Sequence, residues 1–380
     1  MIYLDNAATS YPKPADCLRR ALERYLACGA SPGRGGYDRA VEAEAMVQAV
    51  RDSVARLLGA PKGARVCFAS NATDALNTLI LGLLGPGDHV VTTRLEHNSV
   101  LRPLNHLQAS LGIKVDQVPF DPAGFVDPGR IEAFLTPQTR AVIINHASNV
   151  LGTIQPVPAI GAICKKRGIP LIVDASQSAG CIPIYMEAWG VSGLAFTGHK
   201  SLLGPTGTGG LILNPDLDLA PSRFGGSGVD SINPFQPDEY PFRLEAGTIN
   251  FLGILGLGES LAFVAKHMAA FGERERHLTR RLVQGLNAIP SGKLRLFACE
   301  RLENHLPVVT CVVDGIASTD VGAILDGDFE IAVRTGLHCA PLVHQDLGTG
   351  GAGAVRFSLG PFTTTADIDA AIDAMALIAR

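Results

Sequence analysis

Apolar and polar positions alternate in blocks along this chain, and the blocks change character about two-thirds of the way through. Up to residue 214, short and nearly unbroken apolar runs dominate. They are "RVCFAS" (65–70), "HVVTT" (89–93), "IKVDQVP" (113–119), "RAVIINHAS" (140–148), "IPLIVDAS" (169–176), "GLAFT" (193–197) and "GGLILN" (209–214). Helical spacing fills several gaps between them, at 73–83, 98–111 and 158–167. Strands without a polar face are expected where helices cover both sides of a mostly parallel sheet. The predicted fold class is therefore α/β. A longer helical pattern over 37–59 stops at Gly59, a residue suited to a helix C-terminus.

From about residue 255 the texture is that of a smaller α+β unit. A charged helical stretch, "KHMAAFGERERHLTRRLVQGLNAI", leads into strands near 293–298 and 306–313 and a helix near 318–326. "AVRFSLG" and a final helix, "TADIDAAIDAMALIAR", close the chain. The pattern predicts a large α/β domain over 15–260 and a small α+β domain built from 1–14 and 261–380.

Composition narrows the class. The chain has 380 residues, 47% hydrophobic and 18% charged, which suits a compact enzyme and argues against disorder. A net charge of -4, with no Lys/Arg cluster, gives no attraction to nucleic acid. "MIYLDNAATSYPKP" places Asp5 and Asn6 where a signal peptide needs an apolar core, and no apolar run approaches the roughly 18 residues of a membrane span. A cytoplasmic chain without a membrane partner is expected. The eight cysteines are scattered singly with no CxxC pair, which fits free thiols, mostly small buried hydrophobes.

Candidate chemistry gathers where strands end, the place where open α/β sheets bind ligands. In "SNATDALN" (70–77) a strand gives way to a helix whose first N–H groups, with the Thr73 hydroxyl, could hold a phosphate; taken alone, a plain N-cap by Ser70, Asn71 or Thr73 is the better reading. In "IVDASQS" (172–178) Asp174 ends an apolar strand and needs a partner, such as a protonated ring nitrogen, or else caps a helix. "FTGHKSLLGPTGTGG" (196–210) sets Lys200 before a glycine-rich loop, and a Schiff-base lysine needs such a confined place. The order of its glycines is not that of a nucleotide-binding P-loop. "RLEHNSV" (94–100) places His97 just after a strand, to cap, to fill core or to stack on a planar ring. "EAGTINFLGI" (245–254) sets a Gly-Thr pair before another helix. "RTGLHCAP" (334–341) packs Arg334, His338 and Cys339 together among turn-forming residues. A metal site from His338, Cys339 and His344 lacks a fourth ligand in any usual spacing, so no metal is expected.

Taken together, "YLDNAAT", "SNATDALN", "LEHN", "ASNVLGT", "VDASQSAG", "FTGHKSLLGPTGTGGL", "EAGT", "RTGLHCAP" and "VRFSLGPFTT" resemble the cysteine desulfurase and selenocysteine lyase group of class V aminotransferase-like enzymes. The resemblance covers nearly the whole chain. It implies the fold of pyridoxal 5'-phosphate (PLP)-dependent transferases, PLP as cofactor, and conversion of L-cysteine to L-alanine with sulfur carried as a persulfide on Cys339. It also implies site roles. Lys200 would hold PLP as a Schiff base, Asp174 would pair with the ring nitrogen, His97 would stack on the ring, and Gln177 would bond near its phenolic oxygen. Ala72, Thr73, Thr197 and His199 would bind the phosphate, joined by Thr248 from the neighbouring subunit of a homodimer. Asn149 and Arg356 would hold the substrate carboxylate, and Arg334 would be an active-site arginine. The Cys339 thiolate would be favoured by nearby cations, with His338 and Arg334 as local candidates. The sulfur acceptor would be a protein or a small thiol. Selenocysteine lyase, another class V lyase or aminotransferase, and a non-catalytic sulfur relay are the alternatives. Two departures stand out: Leu337 and Gly33 occupy places where many relatives carry histidine.

Overall fold

The structure is a computed structural model that describes residues 1–33, 35–300 and 302–380. The first elements are β1 (Ile2–Tyr3), α1 (Ala15–Ala27), α2 (Asp38–Leu57), β2 (Arg65–Ala69), α3 (Ala72–Leu83), β3 (His89–Thr93), α4 (Asn98–Leu111) and β4 (Lys114–Val118). Next come α5 (Pro128–Phe134), β5 (Thr139–Asn145), α6 (Val157–Arg167), β6 (Leu171–Asp174), β7 (Gly193–Thr197), β8 (Gly209–Leu213) and α7 (Phe251–Asn287). The chain ends with β9 (Leu294–Phe297), β10 (Val308–Val313), α8 (Ser318–Phe329), β11 (Ile331–Ala332), β12 (Arg334–Gly336), α9 (Pro341–Asp346), β13 (Ala354–Ser358) and α10 (Thr365–Ile378).

Seven strands form the main sheet in the order β2-β8-β7-β6-β5-β3-β4. Only β8 runs antiparallel to its neighbours, so the sheet is mostly parallel as the apolar runs predict. Alternate residues feed two separate cores. Val142, Ile144, Val173 and Leu194 pack on one face, while Ile143, Ile172 and Ala195 pack on the other. That is why these strands lack a polar face.

The second sheet is antiparallel, in the order β12-β13-β10-β9. Its core joins Val309, Cys311 and Phe357 to Leu278 and Leu282 of α7 and to Ile368 and Met375 of α10. Helix α7 is one 37-residue rod whose first half packs on the main-sheet core and whose second half packs here. The sequence pattern suggested one helix after Thr248 and a charged helical stretch from 266; the two are a single rod, and residue 260 falls inside it. By length and composition alone α7 could cross a membrane, contrary to the expectation that no run is apolar enough. Its apolar residues, among them Ile254, Leu255, Leu257 and Leu261, are instead buried in the protein.

One buried ion pair braces the main sheet. Arg51 of α2 grips Glu245 at 2.6 and 2.8 Å and also donates to the Val66 carbonyl at 2.7 Å. This fastens α2 and β2 to the loop that carries Thr248.

Candidate active site

The C-terminal ends of β5, β6 and β7 present Asn145, Asp174 and Thr197 side by side. With the starts of α3 and α4 they line one cavity. Ala72, Thr73, His97, Asn149, Asp174, Gln177, Thr197, His199 and Lys200 all line it, so nine residues singled out from the sequence meet at one place.

The local structure explains how each is held. Asn71 caps α3 by accepting from the Asp74 N–H at 3.0 Å. His97 caps α4, its Nδ1 accepting from the Ser99 N–H at 3.0 Å and lying 2.8 Å from Ser99 Oγ. A ring nitrogen that accepts an N–H bears no proton, so Nε2 carries it in the neutral ring. Burial holds this imidazole neutral, lowering its pKa to about 4 against the pull of Asp174. Ser99 Oγ is also 2.7 Å from Thr73 Oγ1, which ties the two helix starts together. Asp174 Oδ1 accepts from the Ser176 N–H at 2.9 Å and from the Ser176 hydroxyl. Gln177 donates to the Ala7 carbonyl at 3.1 Å.

Lys200 follows β7 on a loop strapped down by the N-terminal segment. Ser10 Oγ donates to the Lys200 carbonyl at 2.9 Å, and Lys13 Nζ donates to the His199 carbonyl at 2.6 Å. Burial lowers the Lys200 pKa to about 8; Asp174 opposes the shift, while Arg356 and Arg334 add to it. Beside it, Thr197 Oγ1 and His199 Nδ1 are buried with no hydrogen-bond partner among the described residues. Leaving such groups dry and unpaired is costly, so they call for a ligand. Together with a carboxylate, a low-pKa amine and free N–H groups at the start of α3, they fit a flat cationic ring bearing an aldehyde and a phosphate.

The second sheet stands close to this cavity, near enough for its arginines to act on Lys200. Arg334 of β12 and Arg356 of β13 are direct cross-strand partners. Like charges placed so repel and need anions between them. Arg356 is almost fully buried; it donates to Asp5 Oδ1 at 2.7 Å and to the Asn149 carbonyl at 3.0 Å, and its Nε has no partner. Arg334 Nη2 lies 3.7 Å from Cys339 Sγ. Asn149 donates to the His338 carbonyl at 2.6 Å, and the Cys339 carbonyl accepts from the Asn98 N–H at 2.7 Å. The cysteine turn is thus tied to the loop after β5 and to the start of α4. His338 and Cys339 both take left-handed backbone angles, φ +50 and +58°, a conformation that costs non-glycine residues about 1–3 kcal/mol each.

One expectation changes. His338 is not a cation beside Cys339: burial drives its pKa down to about 2, and its ring is engaged elsewhere. Its Nε2 is 3.3 Å from the Arg334 carbonyl and its Nδ1 is 3.2 Å from His344 Nε2, while His344 Nδ1 is 2.8 Å from Thr349 Oγ1. A carbonyl can only accept, which sets the direction. Thr349 donates to His344, His344 to His338, and His338 to the Arg334 carbonyl. Thr248, expected to serve a neighbouring subunit, lines a separate cavity with Phe68, Gly207 and Arg223 and is not brought to the Lys200 site within this chain.

Burial raises the thiol pKa of Cys17, Cys28, Cys67, Cys164, Cys181, Cys299 and Cys311, to about 12 for Cys164, Cys299 and Cys311. Cys339 sits on a strained turn with Arg334 against its sulfur, and Cys17 has the similar company of Arg20 at 3.5 Å but lies buried on α1. Sequence reasoning gave no role to Asp5, Ser99, Glu96 or His344. Asp5 and Ser99 stood within quoted motifs, but their partners could not be read locally. Glu96, fully buried and held by Thr93 and the Asn145 N–H, has its pKa raised by burial to about 8 directly behind His97.

Comparison with known proteins agrees with this geometry. The profile of the class-V aminotransferase family matches residues 2–371. A probable cysteine desulfurase of Methanothermobacter thermautotrophicus is 34% identical over 97% of this chain and 92% of its own length. A cysteine desulfurase of Klebsiella pneumoniae is 31% identical over 97% and 91%. The apo structure of the cysteine desulfurase from Thermococcus onnurineus NA1 superposes with a TM-score of 0.92 at 32% identity, covering 100% of this chain and 94% of that one.

Proposed function

The chain belongs to the class-V aminotransferase family, and from that premise we propose that it is a PLP-dependent cysteine desulfurase. The observation that carries the reading is the meeting of two half-sites. Lys200, Asp174 and the unpartnered Thr197 and His199 groups lie on one side, and the Arg334–Cys339 pair lies on the other.

Lys200, Asp174, His97, Gln177, Ala72, Thr73, Thr197 and His199 would hold PLP. When bound, the cofactor supplies an electron sink for the α-carbon of an amino acid. The chain's own groups do the rest. Arg356, desolvated and fixed by Asp5, offers its unpartnered Nε–H to the substrate carboxylate beside Asn149. Lys200 Nζ, with a pKa near neutrality, takes and returns the proton at the α-carbon. Cys339 attacks the substrate sulfur; an S–S bond forms, the C–S bond breaks, and its electron pair is protonated at the β-carbon to give alanine. Arg334 favours the thiolate that makes the attack.

A homodimer completes this reading. Thr248 faces its own cavity, and the loop before it carries Phe224, Ile232 and Phe235 on the surface, between 74% and 96% exposed. These features support a partner subunit seated here, with Thr248 serving the partner's phosphate site. The test is turnover of L-cysteine by the PLP-loaded enzyme. Alanine and sulfur should appear in equal amounts, and Cys339→Ser should abolish both while Cys299→Ser does not. Full turnover by the Cys339→Ser variant would overturn the proposal.

A further inference from the structure

Cys339 does not line the Lys200 cavity. It lines a neighbouring outer cavity of about 540 Å³ that shares Thr73, His97 and Ser99 with the inner one. The thiol therefore stands between two chambers, and only the inner one has been given a ligand. We propose that the outer cavity is the sulfur-acceptor subsite, built for a small thiol bearing a carboxylate, with Arg102 as the residue that selects it. The inference rests on the desulfurase reading and adds to it the chemistry of the acceptor.

Three observations carry it. The first is size, since a space of this volume falls within the range of small-molecule clefts, roughly 300–1,000 Å³. The second is charge. No aspartate or glutamate lines this cavity, whereas Arg102 and His106 do. The Arg102 side chain is exposed, and its guanidinium makes no hydrogen bond or salt bridge among the described residues. Its field nevertheless reaches His97, where it helps disfavour the protonated ring. An unpaired guanidinium is a ready carboxylate receptor. The third is position. Arg102 sits on the first turns of α4, the helix whose leading N–H, from Asn98, is bonded to the Cys339 carbonyl. Helix and cysteine are thus held in fixed relation, and the positive end of the helix adds to the field. Leu81 and Pro103 provide an apolar wall for the carbon frame of the acceptor. The amino-acid substrate does not need this cation, because Arg356 meets its carboxylate on the inner side.

The transfer balances without an outside oxidant or reductant. The acceptor thiolate attacks the outer sulfur of the Cys339 persulfide, a new S–S bond forms, and the old one breaks. Cys339 then leaves as a thiolate beside Arg334.

The test uses the PLP-loaded enzyme charged with one equivalent of L-cysteine and desalted, with the persulfide confirmed by mass. Discharge is then timed with mercaptosuccinate and with uncharged thioglycerol, each corrected for its thiolate fraction. We expect the dicarboxylate thiol to be favoured about five- to tenfold, less at high salt. Arg102→Gln should bring the ratio near unity, and Arg102→Glu should reverse it. Equal rates for the two thiols in the wild type, or an unchanged ratio in Arg102→Glu, would overturn the inference while leaving the desulfurase reading intact. Absence of any persulfide before the thiols are added would overturn both.

Discussion

Replacing His344 by leucine should loosen the cysteine turn from behind without touching the reacting atoms. The imidazole is fully buried, donates to His338 Nδ1 at 3.2 Å and accepts from Thr349 Oγ1 at 2.8 Å. Leucine fills the space and offers neither. Thr349 has a second acceptor in the His344 carbonyl at 3.4 Å, so its loss is partial. His338 Nδ1 has none, and a stranded buried acceptor costs about 1–3 kcal/mol. Adding about 1 kcal/mol for the threonine bond gives a destabilisation of about 2–4 kcal/mol. The same slack falls on His338 and Cys339, whose left-handed backbone must be imposed by the surroundings. The rate of alanine formation should therefore fall at least tenfold. The KM for L-cysteine should change little, since Arg356 is held by Asp5 and Asn149 instead. Urea denaturation and alanine release measure the two effects. Glutamine separates positioning from mere volume, because its amide nitrogen can stand where His344 Nε2 does and restore the donor to His338. His344→Gln should recover most of the rate lost in His344→Leu. A leucine variant with normal stability and turnover, or a glutamine variant no better than leucine, would refute the reasoning.

Glycine 353 should tolerate no side chain: its φ is +66°, and a Cβ there would stand 2.4 Å from Gly336 Cα and 2.6 Å from its carbonyl oxygen. Gly353→Ala should cut turnover at least tenfold, whereas Gly351→Ala, with open space around it, should be near neutral; equal behaviour of the two would contradict this packing. Acidification should destabilise the fold between about pH 6.5 and 4. Burial lowers the pKa of His97, His146, His199 and His344 to about 4 and of His338 to about 2, and also lowers that of His305, so the unfolded chain binds more protons in that window. Glu96 and Glu275, raised by burial to about 8, act in the opposite sense but are two groups against six. Melting temperature should fall from pH 7 to pH 5; a flat or rising profile would show that these histidines do not titrate as buried neutral groups.

Much of the main sheet was legible because its signal is local. Strands 89–93 and 193–197 and helix 98–111 match the structure residue for residue, since each is a clean run bounded by turn or capping residues. The continuity of α7 across its first half was not legible. Gly253, Gly256 and Gly258 break the helical signal, yet they let other elements come close: a Cβ on Gly258 would be 2.6 Å from a Val50 methyl. Elements of two to six residues, β1, β11, β12 and α9, are too short for periodicity to show. In the site, the residues at strand ends could be picked out, because a polar residue after an apolar run is itself a signal. Asp5 could not, as its partner Arg356 lies 351 residues away. His338 misled for a related reason. Next to Cys339 in sequence it looked like a cation, but its charge state is set by burial and by His344, and neither is visible in "RTGLHCAP".

The central claim is that sulfur passes from L-cysteine to Cys339 and to none of the other seven thiols. Mass spectrometry of peptides from the PLP-loaded enzyme, quenched after a brief exposure to L-cysteine, tests it most directly. The account predicts one added sulfur on the peptide carrying Cys339 and no such increment on peptides carrying the other cysteines. An unmodified Cys339 peptide from an enzyme that is releasing alanine would contradict it.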